Sequence, residues 1–137
     1  MCNVAKYKVM LTQYALAFAF TLLVACALTC LASGLFLMFG RIRPTNQALR
    51  HPYLDKNPWD RYPTAIRMAI LLDYFLRLTF PKSTFWIIGN ANRLLRHIDP
   101  AEVPTRIKWP LIGLWGGCFV GIIALILLWI LILITMA

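Results

Sequence analysis

The sequence predicts an all-α membrane protein, in which two transmembrane helices flank a cytoplasmic segment with amphipathic interfacial helices. Hydrophobic residues make up 61% of the chain, whereas a soluble domain contains about 45–50%. Two stretches, 9–39 and 111–136, carry no charged residue. Each is longer than the roughly 20 residues that a helix needs to cross the hydrocarbon core of a bilayer. We therefore assign both stretches as spans.

The distribution of charge predicts the orientation of the two spans. A short N-terminal tail, 1–8, carries only Lys6 and Lys8, and all other charged residues lie within 40–110. Basic residues close to span ends favour the cytoplasmic side of a bacterial inner membrane. We therefore place the middle segment in the cytoplasm and both termini outside. The basic residues at the inner ends of the spans are Arg41, Arg43, Arg106 and Lys108.

The first span has an alternative interpretation as a lipoprotein signal. Lys6 and Lys8 precede an apolar run that ends in Leu-Val-Ala-Cys at Cys26. Residues 27–39 remain apolar, however, where a lipoprotein normally has a polar tether. We therefore predict an uncleaved span. Cys2 lies near the membrane surface and is a candidate for acylation.

The middle segment begins with a proline-rich stretch, 41–63. Its four prolines disfavour a long helix, and aromatic and basic residues lie between them. Such a composition predicts a segment along the lipid headgroups, with Trp59 as one of its amphipathic anchors. Binding to a peptide or a nucleic acid is the alternative, but nearby anionic lipid already accounts for the basic charge. We therefore predict no nucleic-acid partner.

The next element is a predicted helix over 64–80, which follows Pro63. Its charges are Arg67, Asp73 and Arg77, and the last two are spaced to pair at i, i+4. The helix is otherwise apolar and is short for a span. We expect it to lie in the membrane interface or against the helices of a partner.

A second helix is predicted over 83–98, with Ser83 as its N-cap. The sequence of residues 99–102, Asp-Pro-Ala-Glu, has a capping-box pattern. Pro104 limits that element to a short turn before the second span. Lys108 and Trp109 mark where the second span meets the headgroups.

Small residues occupy one face of each span. Glycine in a soluble helix costs about 1 kcal/mol relative to alanine, but in lipid small residues allow helices to pack closely. The second span carries Gly113, Gly117 and Gly121, and the first carries Cys26, Cys30 and Gly34 at a similar depth. We predict that these two faces meet in an antiparallel hairpin. Two alternatives remain open, in which the glycines face a second copy or a foreign subunit.

The residue types that carry chemistry are sparse. Neither span contains an acidic or basic residue for a proton relay, and both histidines lie outside the spans, which disfavours a bis-histidine haem. Cys26 and Cys30 are one helical turn apart, but small residues at a helix seam explain them better than ligands do. We therefore expect no enzyme activity, cofactor or metal.

The chain resembles the universal stress protein B family in layout. The resemblance covers residues 35–130 and rests on a patch at Leu49, Arg50 and 52–54, and on a terminal span that contains GGCFVGIIALILLW. The chain differs from the family in its longer N-terminal lead, less charged loop and prolines within 104–110. The resemblance implies a bacterial inner-membrane accessory role and supplies no catalytic residue.

These observations predict a non-enzymatic accessory or structural subunit that docks on a larger inner-membrane complex and contacts anionic lipid headgroups. The alternative is a stand-alone or homo-oligomeric protein of membrane stress or lipid organisation. A holin-like channel former is disfavoured because the second span lacks a polar stripe.

Overall fold

The computed structural model describes residues 1–137 and is all-helical, with no strand. The helices are α1 (Cys2–Phe36), α2 (Ile42–Leu49), α3 (Tyr53–Lys56), α4 (Thr64–Thr79), α5 (Trp86–Leu94) and α6 (Thr105–Met136). A π-helical turn at Leu37–Arg41 joins α1 to α2, and a 3-10 turn at Trp59–Arg61 precedes α4. The prediction of an all-α fold is confirmed.

The two longest helices, α1 and α6, form an antiparallel hairpin. Ser33 near the end of α1 faces Gly113 near the start of α6. At the opposite end of the hairpin, Lys8 and Ile134 line one cavity. Both helices are long and apolar enough to cross a membrane, which confirms the two apolar helices expected from the sequence.

The first helix is longer than the sequence suggests. It begins at Cys2, so that residues 1–8 do not form a separate tail, and it continues through the π turn into α2. Arg41 leaves helical geometry with φ −132° and ψ 2°. This break makes Pro44 a first-turn residue of α2, where no backbone N–H bond is required. The helical path therefore reaches Leu49 despite the proline.

The last helix also begins earlier than the predicted span. Pro104 has extended geometry with φ −61° and ψ 145°, and α6 starts at the next residue. Pro110 lies inside the helix and is fully buried. It removes one backbone hydrogen bond near the N-terminal end, and its burial beside Leu111 offsets part of that loss.

The hydrophobic core lies at one end of the hairpin. There α2, α4 and α5 meet the C-terminal end of α1 and the N-terminal end of α6. Its buried members are Leu37, Leu49, Ile70, Leu71, Tyr74, Leu95, Ile98 and Leu111. From the sequence we expect α4 in the membrane interface or against a partner. The structure packs one face of α4 against helices of the same chain, because those helices supply the apolar surface that this face requires. The position of α4 in the membrane interface stays a prediction.

The helix predicted over 83–98 differs from the one in the structure. The helix α5 is shorter than 83–98, and its N-cap, Phe85, makes no side-chain cap bond. The Ser83 hydroxyl accepts a hydrogen bond from the Phe85 N–H at 3.3 Å, which closes a turn before the helix. The Asp99 carboxylate accepts from the Ala101 N–H at 2.9 Å, and residues 100–102 form the short turn that the sequence predicts before Pro104.

Candidate functional site

The candidate functional site is the interhelical face, defined here as the surface at which the glycines of α6 meet α1. A Cβ atom added at Gly117 would lie 2.7 Å from Cys30 Sγ and 3.3 Å from the carbonyl oxygen of Cys26. A Cβ at Gly121 would lie 3.4 Å from Cys26 Cβ. A Cβ at Gly113 would overlap the Ser33 hydroxyl. A side chain at Gly113 or Gly117 would therefore require Ser33 or Cys30 of α1 to shift.

One contact of the interhelical face differs from the prediction. Gly34 does not face a glycine, because a Cβ there would contact Leu114 Cδ1 at 3.4 Å. Ser33, one residue earlier, lies against Gly113. The reason is geometric: the row Cys26, Cys30 and Ser33 follows i, i+4 and i, i+3 steps, which lie on the same helical face.

The cysteine thiols fill the interhelical face. Cys30 Sγ lies 3.2 Å from the Leu114 carbonyl oxygen, to which it donates, and 3.5 Å from Cys118 Sγ. All four cysteines are free thiols. No group of three or more His, Cys, Asp or Glu side chains is placed to hold a metal ion. These thiols act in packing as small, polarisable side chains.

The three threonine hydroxyls of α1 are satisfied within the helix. Thr12, Thr21 and Thr29 each donate to the carbonyl oxygen four residues earlier at 2.8 Å. Their hydrogen-bonding capacity therefore requires no external polar partner, which allows them in an apolar environment.

The basic end of the hairpin, defined by Arg41, Arg43, Arg106 and Lys108, contains an aromatic contact. The rings of Phe36 and Trp109 lie 4.7 Å apart, and the Arg41 guanidinium lies 5.7 Å from the Phe36 ring centre. Arg43 and Arg106 are exposed, and Lys108 is half-buried. The structure thus brings together the residues at the two span ends that the sequence assigns to the membrane interface.

The other predicted interface residues take part in internal contacts. The Arg67 guanidinium lies 5.8 Å from the Trp59 ring and donates to the Asp60 carbonyl oxygen at 2.8 Å. Arg77 donates through Nε and Nη2 to the Ile98 carbonyl oxygen, at 3.2 and 2.8 Å. Arg77 therefore connects α4 to the segment that follows α5.

The predicted Asp73–Arg77 pair is replaced by longer-range partners. Asp73 Oδ2 lies 3.0 Å from Nε2 of His51 and forms a hydrogen bond with it. Arg77 bonds to carbonyl oxygens instead of to Asp73. Helical spacing permitted the pair, but His51 bonds to Asp73, and the carbonyl oxygens of Ile98 and Pro81 accept from Arg77.

A polar brace, defined as His51, Asp73, Tyr74 and Asn46, lies inside the core region. The fully buried His51 accepts a hydrogen bond at Nδ1 from the Tyr53 N–H, at 3.2 Å. Its Nε2–H therefore donates to Asp73. Both ring nitrogens of His51 therefore have hydrogen-bond partners within the chain.

The Tyr74 hydroxyl completes the polar brace. It accepts from the His51 N–H and donates to Asn46 Oδ1, each at 3.2 Å. Burial raises the pKa of the Tyr74 phenol, and the nearby Asp73 charge raises it further, while the hydrogen bond from the His51 N–H opposes the shift. The brace joins α2 and the segment after it to α4. No sequence pattern pointed to it, since its members are up to 28 residues apart.

The outer surface of the hairpin is apolar and uncovered. Exposed fractions are 71% at Phe18 and 62% at Leu28 of α1, and 60% at Trp129 and 59% at Leu133 of α6. Exposed apolar area on this scale marks a surface that meets lipid or another protein.

Comparison with known proteins finds no match among protein-family models, curated proteins or solved structures. The resemblance to the universal stress protein B family therefore stays a prediction from the sequence.

Proposed function

We propose that this chain is a two-span protein of the bacterial inner membrane that serves as a non-enzymatic accessory or structural subunit of a larger complex. The observation that carries the proposal is the uncovered apolar surface along α1 and α6. Removing apolar surface from water is worth about 25 cal/mol per Å². The hairpin consequently requires lipid, protein or both around it.

The position of the basic residues supports an orientation with both termini outside. Arg41, Arg43, Arg106 and Lys108 lie at the same end of the hairpin as the hydrophobic core formed with α4 and α5. Basic residues at span ends favour the cytoplasmic side. The exposed Arg43 and Arg106 are suited to contact anionic headgroups.

The interhelical face restricts where a partner protein can dock. Gly113, Gly117 and Gly121 contact α1 within the chain, so their backbone is not available to an external helix. A partner would therefore contact the bulky outer faces of the hairpin, such as the stretch 122–134, or the cytoplasmic helices.

A second candidate function follows from the same observation. Because the small-residue face is occupied within the chain, the hairpin has its close helix contact without a partner. This favours a stand-alone or homo-oligomeric protein that organises lipid, as the alternative to a subunit.

The experiment that separates the two candidates is purification of the tagged protein from its own cells in mild detergent, with the native mass of the eluate measured. The subunit proposal predicts a dominant larger partner at a fixed ratio that persists through a second chromatographic step. A particle that contains only this chain and lipid contradicts the subunit proposal and supports the second candidate. Release of the chain from membranes by alkaline carbonate contradicts both candidates.

A further inference from the structure

An apolar groove lies between α4, α5 and α6, away from the interhelical face. It has a volume of about 590 Å³, which is within the range of about 300–1,000 Å³ for ligand sites. Ten of its eleven lining residues are hydrophobic, among them Leu76, Phe85, Trp86, Phe119 and Val120. The groove therefore suits a hydrocarbon ligand.

The floor of the apolar groove includes Gly116. A Cβ at this position would meet only Ile112 Cγ2, at 3.8 Å, which is ordinary contact. Gly116 thus differs from its neighbour Gly117, where a Cβ would overlap Cys30 of α1. The missing side chain at Gly116 adds room to the groove and is not needed for contact between the two long helices.

A cationic cavity of about 470 Å³ lies beside the apolar groove and shares Trp86 with it. Its basic residues are Arg77, Lys82, Arg93 and Arg96, and no acidic residue lines it. Arg77 is engaged by the carbonyl oxygens of Ile98 and Pro81. The other three cations are exposed and form no salt bridge in the chain. Three uncompensated positive charges therefore face this cavity.

We propose that the apolar groove and the cationic cavity together bind one anionic glycerophospholipid. An acyl chain lies in the groove, and the phosphate lies near Lys82, Arg93 and Arg96. Charge complementarity selects this occupant, because a phospholipid joins a phosphate and a hydrocarbon chain in one molecule and basic pockets beside membrane helices suit anionic headgroups. This site goes beyond the proposed function and does not depend on a partner protein.

The exposed indole of Trp86 lies where the two cavities meet. Its side chain is 78% exposed, and it lines both the groove and the cationic cavity. Tryptophan favours the boundary between headgroups and acyl chains. In the proposed site the indole is therefore placed beside the glycerol region of the lipid.

Native mass spectrometry of the full chain in detergent tests the headgroup part of the site. The probes are phosphatidylglycerol and phosphatidylcholine with identical acyl chains. We expect one retained phosphatidylglycerol, bound at least about tenfold more tightly than phosphatidylcholine. The triple variant Lys82→Gln, Arg93→Gln, Arg96→Gln should lose this preference. The matched control Lys6→Gln, Lys56→Gln, Arg61→Gln, which removes three exposed cations elsewhere, should retain it.

Filling the groove tests the acyl-chain part of the site. Gly116→Leu should weaken phosphatidylglycerol binding several-fold while helix content and the α1–α6 contact persist. Equal binding of the two lipids by the unmodified chain would overturn the proposal. Unchanged lipid binding in Gly116→Leu, or full displacement of the lipid by excess inorganic phosphate, would also overturn it. Loss of a co-purified protein in Gly116→Leu with unchanged lipid binding would assign the groove to a partner helix instead.

Discussion

Gly117 of α6 lies directly against Cys30 of α1, so closely that a Cβ at position 117 would be 2.7 Å from the cysteine sulfur. The next glycine toward the N-terminus, Gly116, has ordinary space on its own side of α6. Two adjacent glycines in one helix thus have different roles. One permits the contact of the long helices, and the other lines a groove.

This difference predicts opposite results for two neighbouring substitutions. Gly117→Leu should force α1 and α6 apart and destabilise the fold by about 1–3 kcal/mol, as overpacking does, or prevent accumulation of the protein. Gly116→Leu should leave stability within about 1 kcal/mol, since glycine has low helix propensity. Thermal unfolding in detergent, followed by circular dichroism, measures both effects. Equal stability of the two variants would contradict the close contact at Gly117.

The polar brace predicts that His51 contributes to stability. His51→Ala leaves the Tyr53 N–H without a partner and removes the hydrogen bond to Asp73, which should cost about 1–3 kcal/mol. Asp73→Asn keeps an acceptor oxygen for the His51 Nε2–H and should cost about 1 kcal/mol or less. Chemical denaturation of the two variants in detergent gives the comparison. A larger loss in Asp73→Asn than in His51→Ala would show that the assigned proton position is wrong.

The buried phenol of Tyr74 predicts a loss of stability at alkaline pH. Burial raises its pKa above the ordinary value of about 10. Its contribution is therefore complete below about pH 10 and declines as pH rises beyond that value, because the unfolded chain ionises first. Stability measured from pH 8 to 11 should fall less steeply in Tyr74→Phe than in the unmodified chain. Identical slopes in the two proteins would contradict the buried position of the phenol.

Arg77 should not tolerate replacement by lysine, although the charge is retained. Its Nε and Nη2 both donate to the Ile98 carbonyl oxygen, and Nη1 donates to the Pro81 carbonyl oxygen. A lysine ammonium lacks this planar arrangement of donors. Arg77→Lys should destabilise the fold by about 1–3 kcal/mol, whereas Arg43→Lys, at an exposed site, should have little effect. Melting temperatures that are unchanged in both variants would exclude a structural role for Arg77.

The orientation proposed for the hairpin is tested with topology reporters. Alkaline phosphatase, which is active outside the cytoplasm, should be active when fused after Ala137 and inactive when fused after Lys56. A fluorescent protein that matures in the cytoplasm should show the reverse pattern. Activity of the phosphatase at Lys56 would invert the proposed topology and would contradict the role assigned to the basic end of the hairpin.

Local patterns in the sequence were sufficient for part of this structure. Apolar length identified α1 and α6, and the four-residue spacing of Gly113, Gly117 and Gly121 identified the face that meets Cys26 and Cys30. These features depend on neighbouring residues of one helix, whose periodicity is visible in the sequence. The choice of Ser33 rather than Gly34 as a partner depends on the rotation of α1, which small-residue spacing alone did not determine.

Features that depend on distant residues were not predictable in the same way. The sequence spacing predicted that Asp73 pairs with Arg77. In the structure Asp73 bonds to His51 and Arg77 bonds to carbonyl oxygens, and these partners can be identified only once the fold is known. The extension of α2 through Pro44 required the change in backbone geometry at Arg41. The groove at Gly116 is formed by α4, α5 and α6 together, so no single segment encodes it.

A close hairpin of α1 and α6 in the membrane can be tested by cross-linking Cys30 to Cys118, whose sulfur atoms lie 3.5 Å apart. The measurement uses native membranes, a variant in which Cys2 and Cys26 are replaced by alanine, a copper–phenanthroline oxidant and a protease site inserted after Lys56. The hairpin predicts a monomer whose two halves, on a denaturing gel, remain joined after cleavage until a reductant is added. The same chain with Cys30→Ala should give two separate halves on that gel after cleavage. Halves that separate without reductant, or a cross-link that appears only between two chains, would contradict the hairpin.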